Sequence, residues 1–283
     1  MIQNNSSTSQ FPSQDSILRL KQEMKLRRFS PKTVKSYLYY ITSALNFANK
    51  SPRSICGDDL RAYLEKLSDD GRSASTLNTA YSALQFYFEK ILRRRFFMDI
   101  PRAKTLKKIP EIFTKEEVKK ILETIRNIKH KLMLGLMYSS GLRVSEVVNV
   151  RVRDLNFSDN LLYVRNAKGA KDRATITSEK VSAVLEKYTK NKNPDDYVFE
   201  SDRGGKLTER SVQKIFTGAL KNSGVKKCAS CHSLRYSFAT HLLEGGTDIR
   251  YIQELLGHAK LETTQIYTKV AKNNLQSIKS PLD

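Results

Sequence analysis

The sequence predicts a mainly α-helical protein of two domains, with a small β-hairpin or sheet confined to the second. Three observations lead there. From Ser16 to about Phe97, apolar residues recur at helical spacing. From about Met98 to Phe113, MDIPRAKTLKKIPEIF, that period stops, and two prolines and four basic residues take its place. Beyond Thr114 the helical pattern returns, interrupted by two β-prone runs, LLYVR and RATIT, on either side of the turn-rich NAKGAKD. The expected division is a disordered lead-in over 1–15, a helical domain over 16–97, a linker over 98–113 and a second domain over 114–283.

Each element has a local cause. The lead-in, MIQNNSSTSQFPSQD, is polar and lacks a signal-peptide core. A first helix is expected around Leu18 to Leu26. Ser30-Pro31 sets a capping hydroxyl before a proline suited to a first turn, and Val34, Tyr37, Leu38, Ile41 and Leu45 follow on one stripe. Asp58-Asp59 opens a third helix with Leu60, Tyr63, Leu64 and Leu67. Ser73 or Ser75 opens a fourth, with Leu77, Tyr81, Leu84, Phe88 and Ile91. Four such stripes make a compact bundle, and the aromatics on them are read as core, not as base-stacking platforms. Lys32, Lys35, Arg72, Arg93, Arg94 and Arg95 lie off the stripes or at helix ends. They either form a solvated face or neutralise phosphates.

In the second domain, Thr114-Lys115-Glu116-Glu117 is a capping box leading into Val118, Ile121, Leu122 and Ile125. Lys131 to Tyr138 reads as a buried helix that ends at Ser139-Ser140-Gly141, and Leu142-Arg143-Val144-Ser145-Glu146 begins the next. The hairpin follows, then Val198-Phe199 and a helix with Val212, Ile215, Phe216 and Leu220.

Charge bounds the partners. There are 50 Lys and Arg against 29 Asp and Glu, a formal +21 with a pI near 9.8. Such a surplus favours a polyanion. No apolar run approaches the roughly 20 residues of a spanning helix, so nucleic acid is expected in preference to a membrane, in an intracellular setting. The three cysteines are too few for a disulfide framework. Cys228 and Cys231 with His232 spell C-x-x-C-H, the haem-attachment pattern, but haem would need export and would consume His232. A zinc site would need two more ligands. Two loop thiols are the simpler reading, with a redox pair as the alternative.

The chemistry-bearing stretch is His232 to Tyr267, HSLRYSFATHLLEGGTDIRYIQELLGHAKLETTQIY, which holds three of the four histidines. Arg235 falls one helical turn after His232, His258 follows a glycine, and Tyr267 comes nine residues later. A base, a guanidinium, a second imidazole and a hydroxyl nucleophile are what phosphoryl transfer to a tyrosine needs.

H-x-L-R, L-L-G-H and T-x-x-Y, in that order and spacing, resemble the signature of tyrosine recombinases, the phage-integrase and Xer family. Ser140-Gly141-Leu142-Arg143-Val144-Ser145-Glu146 is similar to the family's first arginine motif, although a salt bridge between Arg143 and Glu146 would account for both residues without catalysis. Ala167-Lys168-Gly169 resembles the family's hairpin lysine motif, with Lys171 as the other candidate. The segment SPKTVKSYLYYITSALNF resembles the family's core-binding, SAM-like domain. Together these cover about residues 16 to 275. Cys231, Tyr236 and Lys269 stand where the family often has proline, histidine and histidine.

The resemblance implies a two-domain clamp on double-stranded DNA and a catalytic set of Arg143, Lys168, His232, Arg235, His258 and Tyr267, with Glu146 supporting Arg143. Arg143 and Arg235 would hold the non-bridging oxygens, His232 would take the Tyr267 proton, His258 would donate to a phosphate oxygen, and Lys168 would protonate the departing 5′-oxygen. The helix end next to His232 would help keep it neutral. The phosphotyrosyl link retains the bond energy, so no metal, ATP or other cofactor is expected. A homo-tetramer on two DNA sites, or a hetero-tetramer with a paralogue, is implied, with the tail TKVAKNNLQSIKSPLD docking on a neighbour or packing on its own domain. The absence of a large insert between Arg143 and Tyr267 leans towards Xer-like work on chromosome or plasmid dimers over mobile-element integration. A type IB topoisomerase and a non-catalytic DNA-binding protein are the competing readings.

Overall fold

The computed structural model describes residues 15–94, 100–104, 110–165 and 172–268. They divide into two compact units, Met1–Lys107 and Lys108–Asp283.

The first unit is a four-helix bundle: α1 (Ser16–Leu26), α2 (Pro31–Ala48), α3 (Gly57–Asp69) and α4 (Ala74–Gln85). Its starts follow the cap chemistry. Asp15 accepts the Ile17 and Leu18 amides, and Ser30 accepts the Thr33 amide ahead of Pro31. Ser73, not Ser75, caps α4 by accepting the Thr76 amide. At α3 the cap is Cys56, whose amide donates to Asp59. The α4 helix runs on into a wider π turn, Phe86–Ile91. Leu20, Met24, Ile41, Leu60, Tyr63, Leu84, Tyr87, Phe88 and Ile91 are buried together. Burying one such side chain contributes about 1.5–3 kcal/mol, so the stripe aromatics serve as core.

The division between the units falls inside the expected linker. Residues 100–104 are docked on α4. Asn78 donates to the Ala103 carbonyl at 2.9 Å and accepts its amide at 3.1 Å, and the Arg102 guanidinium lies 4.5 Å from the Tyr81 ring centre. Prolines and a missing helical stripe signal extended chain, but an amide side chain that clips a peptide from 25 positions away leaves no local pattern.

The second unit begins with α5 (Lys115–Glu123), where the Thr114–Glu117 capping box forms in both directions. Then come α6 (Ile128–Ser139) and the short α7 (Val144–Val147). A three-stranded antiparallel sheet follows in the order β1 (Leu155–Asn156), β2 (Leu161–Val164), β3 (Arg173–Ile176). The expected hairpin is β2 with β3, which pair Leu161 to Ile176 and Val164 to Arg173. The extra strand β1 is only two residues long, too short for a period-two signal. Four helices complete the unit: α8 (Glu179–Thr189), α9 (Glu209–Asn222), α10 (His232–Glu244) and α11 (Ile249–Leu256). The core joins Phe113, Met133, Leu136, Leu142, Val147, Leu162, Leu185, Phe199, Phe216 and Leu234. Among the described residues, no helix is long and apolar enough to cross a membrane.

Candidate active site

Four segments converge on one patch of the second unit: the α6–α7 turn, strand β3, the first turn of α10, and the chain from the end of α11 to Tyr267. Two glycines permit the approach. Gly141 has φ 61°, and a Cβ there would stand 2.5 Å from a Phe238 ring carbon. Gly257 has φ 63°, and a Cβ there would stand 2.8 Å from Arg173 Cδ. Both positions require glycine on two counts, backbone hand and space. This gives the S-G-L-R and L-L-G-H motifs a mechanical reason.

Arg235 is the centre of the patch, with 1% of its surface exposed. One arm of its guanidinium donates to the Gly141 carbonyl at 2.6 Å. The other donates to the Leu256 carbonyl at 2.6 Å and to His258 Nε2 at 3.1 Å. An arginine has no acceptor, so Nε2 of His258 accepts. Its proton then sits on Nδ1, facing the Thr264 hydroxyl at 2.9 Å. Burial first, then the charges of Arg235 and Arg143, lower the His258 pKa to about 4, so the ring is neutral near pH 7. His258 Nε2 therefore acts as an acceptor, held by Arg235. Donation to a phosphate needs the proton moved to Nε2, which the Thr264 hydroxyl can support by reversing its own bond.

Arg143 is the residue just before α7. Its guanidinium donates to Glu146 Oε1 at 2.7 Å and its amide to Oε2 at 2.8 Å. The salt bridge considered from sequence is thus present, and a quarter of the Arg143 side chain still faces solvent, 24% against 5% for Glu146. The sequence reading missed a third arginine. Arg173, the first residue of β3, makes a two-armed pair with the same carboxylate at 2.9 and 2.8 Å. Burial would raise the Glu146 pKa, but hydrogen bonds and charge from Arg173, then the Arg143 amide and the Arg235 charge, hold it at about 2.

His232 is the first residue of α10. Burial, followed by the charges of Arg235 and Arg143, lowers its pKa, which keeps the ring in the base form. Its place at the start of α10 is the one expected for a ring kept neutral by a helix end, and burial and two guanidiniums act in the same direction. Tyr236 makes ring contacts on both sides, edge-on to His232 at 4.6 Å and tilted against Tyr267 at 6.0 Å. Tyr267 lies stacked over His258 at 6.2 Å and is 1% exposed, packed with Phe238, Ala239, Ile252 and Leu256. Burial pushes its phenol up to about 12, against the pull of Arg235.

Lys168, Lys171 and Arg95 lie outside the described residues, as do Lys269 and the tail beyond it. In the first unit Lys32, Lys35, Arg72 and Arg93 are exposed, whereas Arg94 donates to the Arg53 carbonyl at 2.6 Å. All three cysteines are free thiols. Cys228 is exposed; Cys231, in the turn just before α10, is 5% exposed and packed in the core, and burial raises its pKa. Among the described residues, no three His, Cys, Asp or Glu side chains are grouped to hold a metal ion.

Comparisons with known proteins place the chain in a family. Residues 111–274 match the phage integrase family and residues 17–96 its N-terminal SAM-like domain. The chain is 38% identical to the tyrosine recombinase XerA of Pyrococcus horikoshii, over 89% of this chain and 88% of that one. It is 32% identical to XerD of Oceanobacillus iheyensis, over 89% and 92%. Among solved structures, a XerA recombinase crystal structure matches with TM-score 0.53 and 28% identity, covering 89% of this chain and 92% of that one. A lambda integrase dimer bound to a COC′ core site matches with TM-score 0.73 and 22% identity, covering 88% and 95%. These relatives favour the recombinase reading over the topoisomerase and non-catalytic ones, and the chain belongs to the phage integrase family of tyrosine recombinases.

Proposed function

We propose that this chain cuts and rejoins double-stranded DNA at a specific recombination site, with Tyr267 as nucleophile. The observation that carries the assignment is Arg235. One buried guanidinium bonds to the S-G-L-R turn, to the end of α11 and to His258, and its charge acts on the Tyr267 phenol. Its companion Arg143 is left partly open to solvent.

In the proposed reaction Arg143 and Arg235 hold the non-bridging oxygens of a DNA phosphate and offset charge in the pentacoordinate transition state. The phenol oxygen attacks phosphorus while His232 takes the phenol proton. Lys168 gives a proton to the departing 5′-oxygen. A 3′-phosphotyrosyl bond forms, the P–O5′ bond breaks, and a 5′-hydroxyl is freed. Attack by a 5′-hydroxyl on the phosphotyrosyl link reverses these steps and rejoins the strand. No oxidant, metal or nucleotide is needed to balance this. Tyr267 is buried against Phe238 and Leu256, so the proposed attack requires its phenol oxygen to reach a phosphate held by Arg143 and Arg235.

The helical domain, proposed for 16–97, and the catalytic domain, proposed for 114–283, would both bind the DNA, working in the nucleoid or cytoplasm. Similar solved structures include a XerH site-specific recombinase bound to a palindromic difH substrate and a lambda integrase tetramer bound to a Holliday junction. A tetramer of this chain, or of this chain with a paralogue, on two sites is the corresponding assembly here. For its biological role we keep the Xer-like reading, resolution of chromosome or plasmid dimers, with mobile-element integration as the alternative. A nicked suicide substrate tests the chemistry. The intact chain should form a denaturation-resistant adduct, and Tyr267→Phe should bind DNA equally well and form none. An adduct that persists in Tyr267→Phe removes Tyr267 from the role.

A further inference from the structure

We infer that Arg173 is a positioning residue of the active site, acting by locking the Glu146 carboxylate and the α11 end into one register. The inference rests on the catalytic reading above and adds a residue to it.

The side chains of Arg173 and Glu146 are 6% and 5% exposed. Two parallel bonds of 2.9 and 2.8 Å join them, one from each terminal nitrogen to each carboxylate oxygen. The third donor, Nε, goes to the Leu255 carbonyl at 2.8 Å. The Arg173 stem fills the space that the missing side chain of Gly257 leaves. One guanidinium thus joins three segments: β3, the turn carrying Arg143, and the turn carrying His258. Strand β3 is tied to the same turn again through Thr175 to the Ser140 carbonyl, and the residue after the strand, Thr177, bonds to the Ser140 hydroxyl.

The consequence is geometric. Glu146 accepts the Arg143 guanidinium on Oε1 and the Arg143 amide on Oε2. A carboxylate held from behind by two arms cannot rotate about its terminal bond, so Arg143 keeps one direction. A charge alone would not do this. Lysine would keep the ion pair but supplies a point charge, without the planar fork that serves two oxygens and a carbonyl at once. In a role limited to neutralising Glu146, Arg173→Lys would be nearly silent. For a positioning role it would be costly to the reaction, since small misplacements of a catalytic group can slow it about a hundredfold.

The experiment compares Arg173→Lys and Arg173→Gln with the intact chain. Single-turnover cleavage of the nicked suicide substrate is measured at saturating protein, well below each variant's melting temperature. Binding is measured in parallel by mobility shift. Arg173→Lys should bind within about threefold of the intact chain and cleave roughly ten- to a hundredfold more slowly. Hydrogen exchange on the DNA-free chains provides a readout independent of cleavage. Amides at 142–148 and 255–259 should exchange faster in Arg173→Lys while the α9 amides stay as they were. Wild-type cleavage by Arg173→Lys overturns the inference, as does a defect that disappears on cooling. If the intact chain itself forms no Tyr267-dependent adduct, the catalytic reading fails. The exchange data then decide the positioning claim alone, and unchanged exchange at both turns overturns it.

Discussion

The two units place their charges in opposite ways. In the helical unit the core is apolar apart from tyrosine hydroxyls, and the candidate DNA contacts Lys32, Lys35, Arg72 and Arg93 stand on the surface. In the catalytic unit three of the chemically important charges are inside: Arg235 at 1%, and the side chains of Glu146 and Arg173 at 5% and 6%. A surface cation can attract a phosphate while moving freely. A buried one must have every donor placed, and it then points one way. The contrast separates affinity from alignment, and substitutions can test it from either side.

The largest effect should come from Arg235→Ala. It removes donors from two backbone carbonyls and from His258. It also takes away one of three guanidiniums near Glu146, 3.7 Å from it. Breaking a buried charge network costs about 3–5 kcal/mol, and losing a transition-state donor costs at least about a hundredfold in rate. Urea unfolding and suicide-substrate cleavage should show both losses together, where a surface arginine such as Arg72 should show neither.

Glu146→Gln comes next and has a pH signature. The Glu146 pKa is held at about 2 in the folded state, below its ordinary 4.5. A depressed carboxylate stabilises the fold above the unfolded pKa and loses that contribution as pH falls from about 4.5 towards 2. The shift corresponds to roughly 3 kcal/mol at neutral pH. The stability difference between the intact chain and Glu146→Gln should therefore shrink on acidification through that window. A pH-independent difference in chemical denaturation would show that the carboxylate charge is not what the arginines hold.

Thr264→Val should act on both chemistry and stability, less strongly than the two changes above. Among the described residues the Thr264 hydroxyl is the hydrogen-bond partner of His258 Nδ1, and it can either accept or donate. Without it the imidazole loses the partner that supports a proton on Nε2, so phosphate donation weakens. Cleavage should fall about tenfold, with unfolding free energy changed by about 1–2 kcal/mol. Nitrogen NMR of His258 reads the tautomer directly. An unchanged tautomer together with an unchanged rate would remove Thr264 from the site.

Much of this was legible in the sequence because it is local. The Ser30, Ser73 and Thr114 caps, the helical stripes and the strand runs are each contained within a few residues, and the active-site motifs have fixed spacing. What was missed depends on chain segments far apart. Arg173 looked like one more basic residue at the edge of RATIT, and only folding reveals Glu146 at its tip, 27 positions away. The Asn78 clip on Ala103 and the burial of Cys231 are of the same kind. The protonation pattern of His258 follows from Arg235 and Thr264 on either side of the ring, which spacing alone does not show.

The smallest effect on the fold should come from Lys32→Ala and Lys35→Ala. Both side chains are exposed near the start of α2. Surface substitutions away from caps and cores usually change stability by no more than about 0.5 kcal/mol, and the α2 cap here belongs to Ser30. If these lysines neutralise DNA phosphates, each substitution should weaken binding across all sequences and lower the salt slope of the logarithm of affinity by about 1. Cleavage of fully bound substrate should stay at the intact rate, since neither lysine belongs to the Arg235 network. Binding titrations at several salt concentrations, paired with single-turnover cleavage at saturation, measure the two quantities separately. An unchanged salt slope assigns the lysines to a solvated face. A slower saturated rate would mean that the helical unit contributes to alignment as well as to affinity, and the division between surface and buried charge would no longer hold.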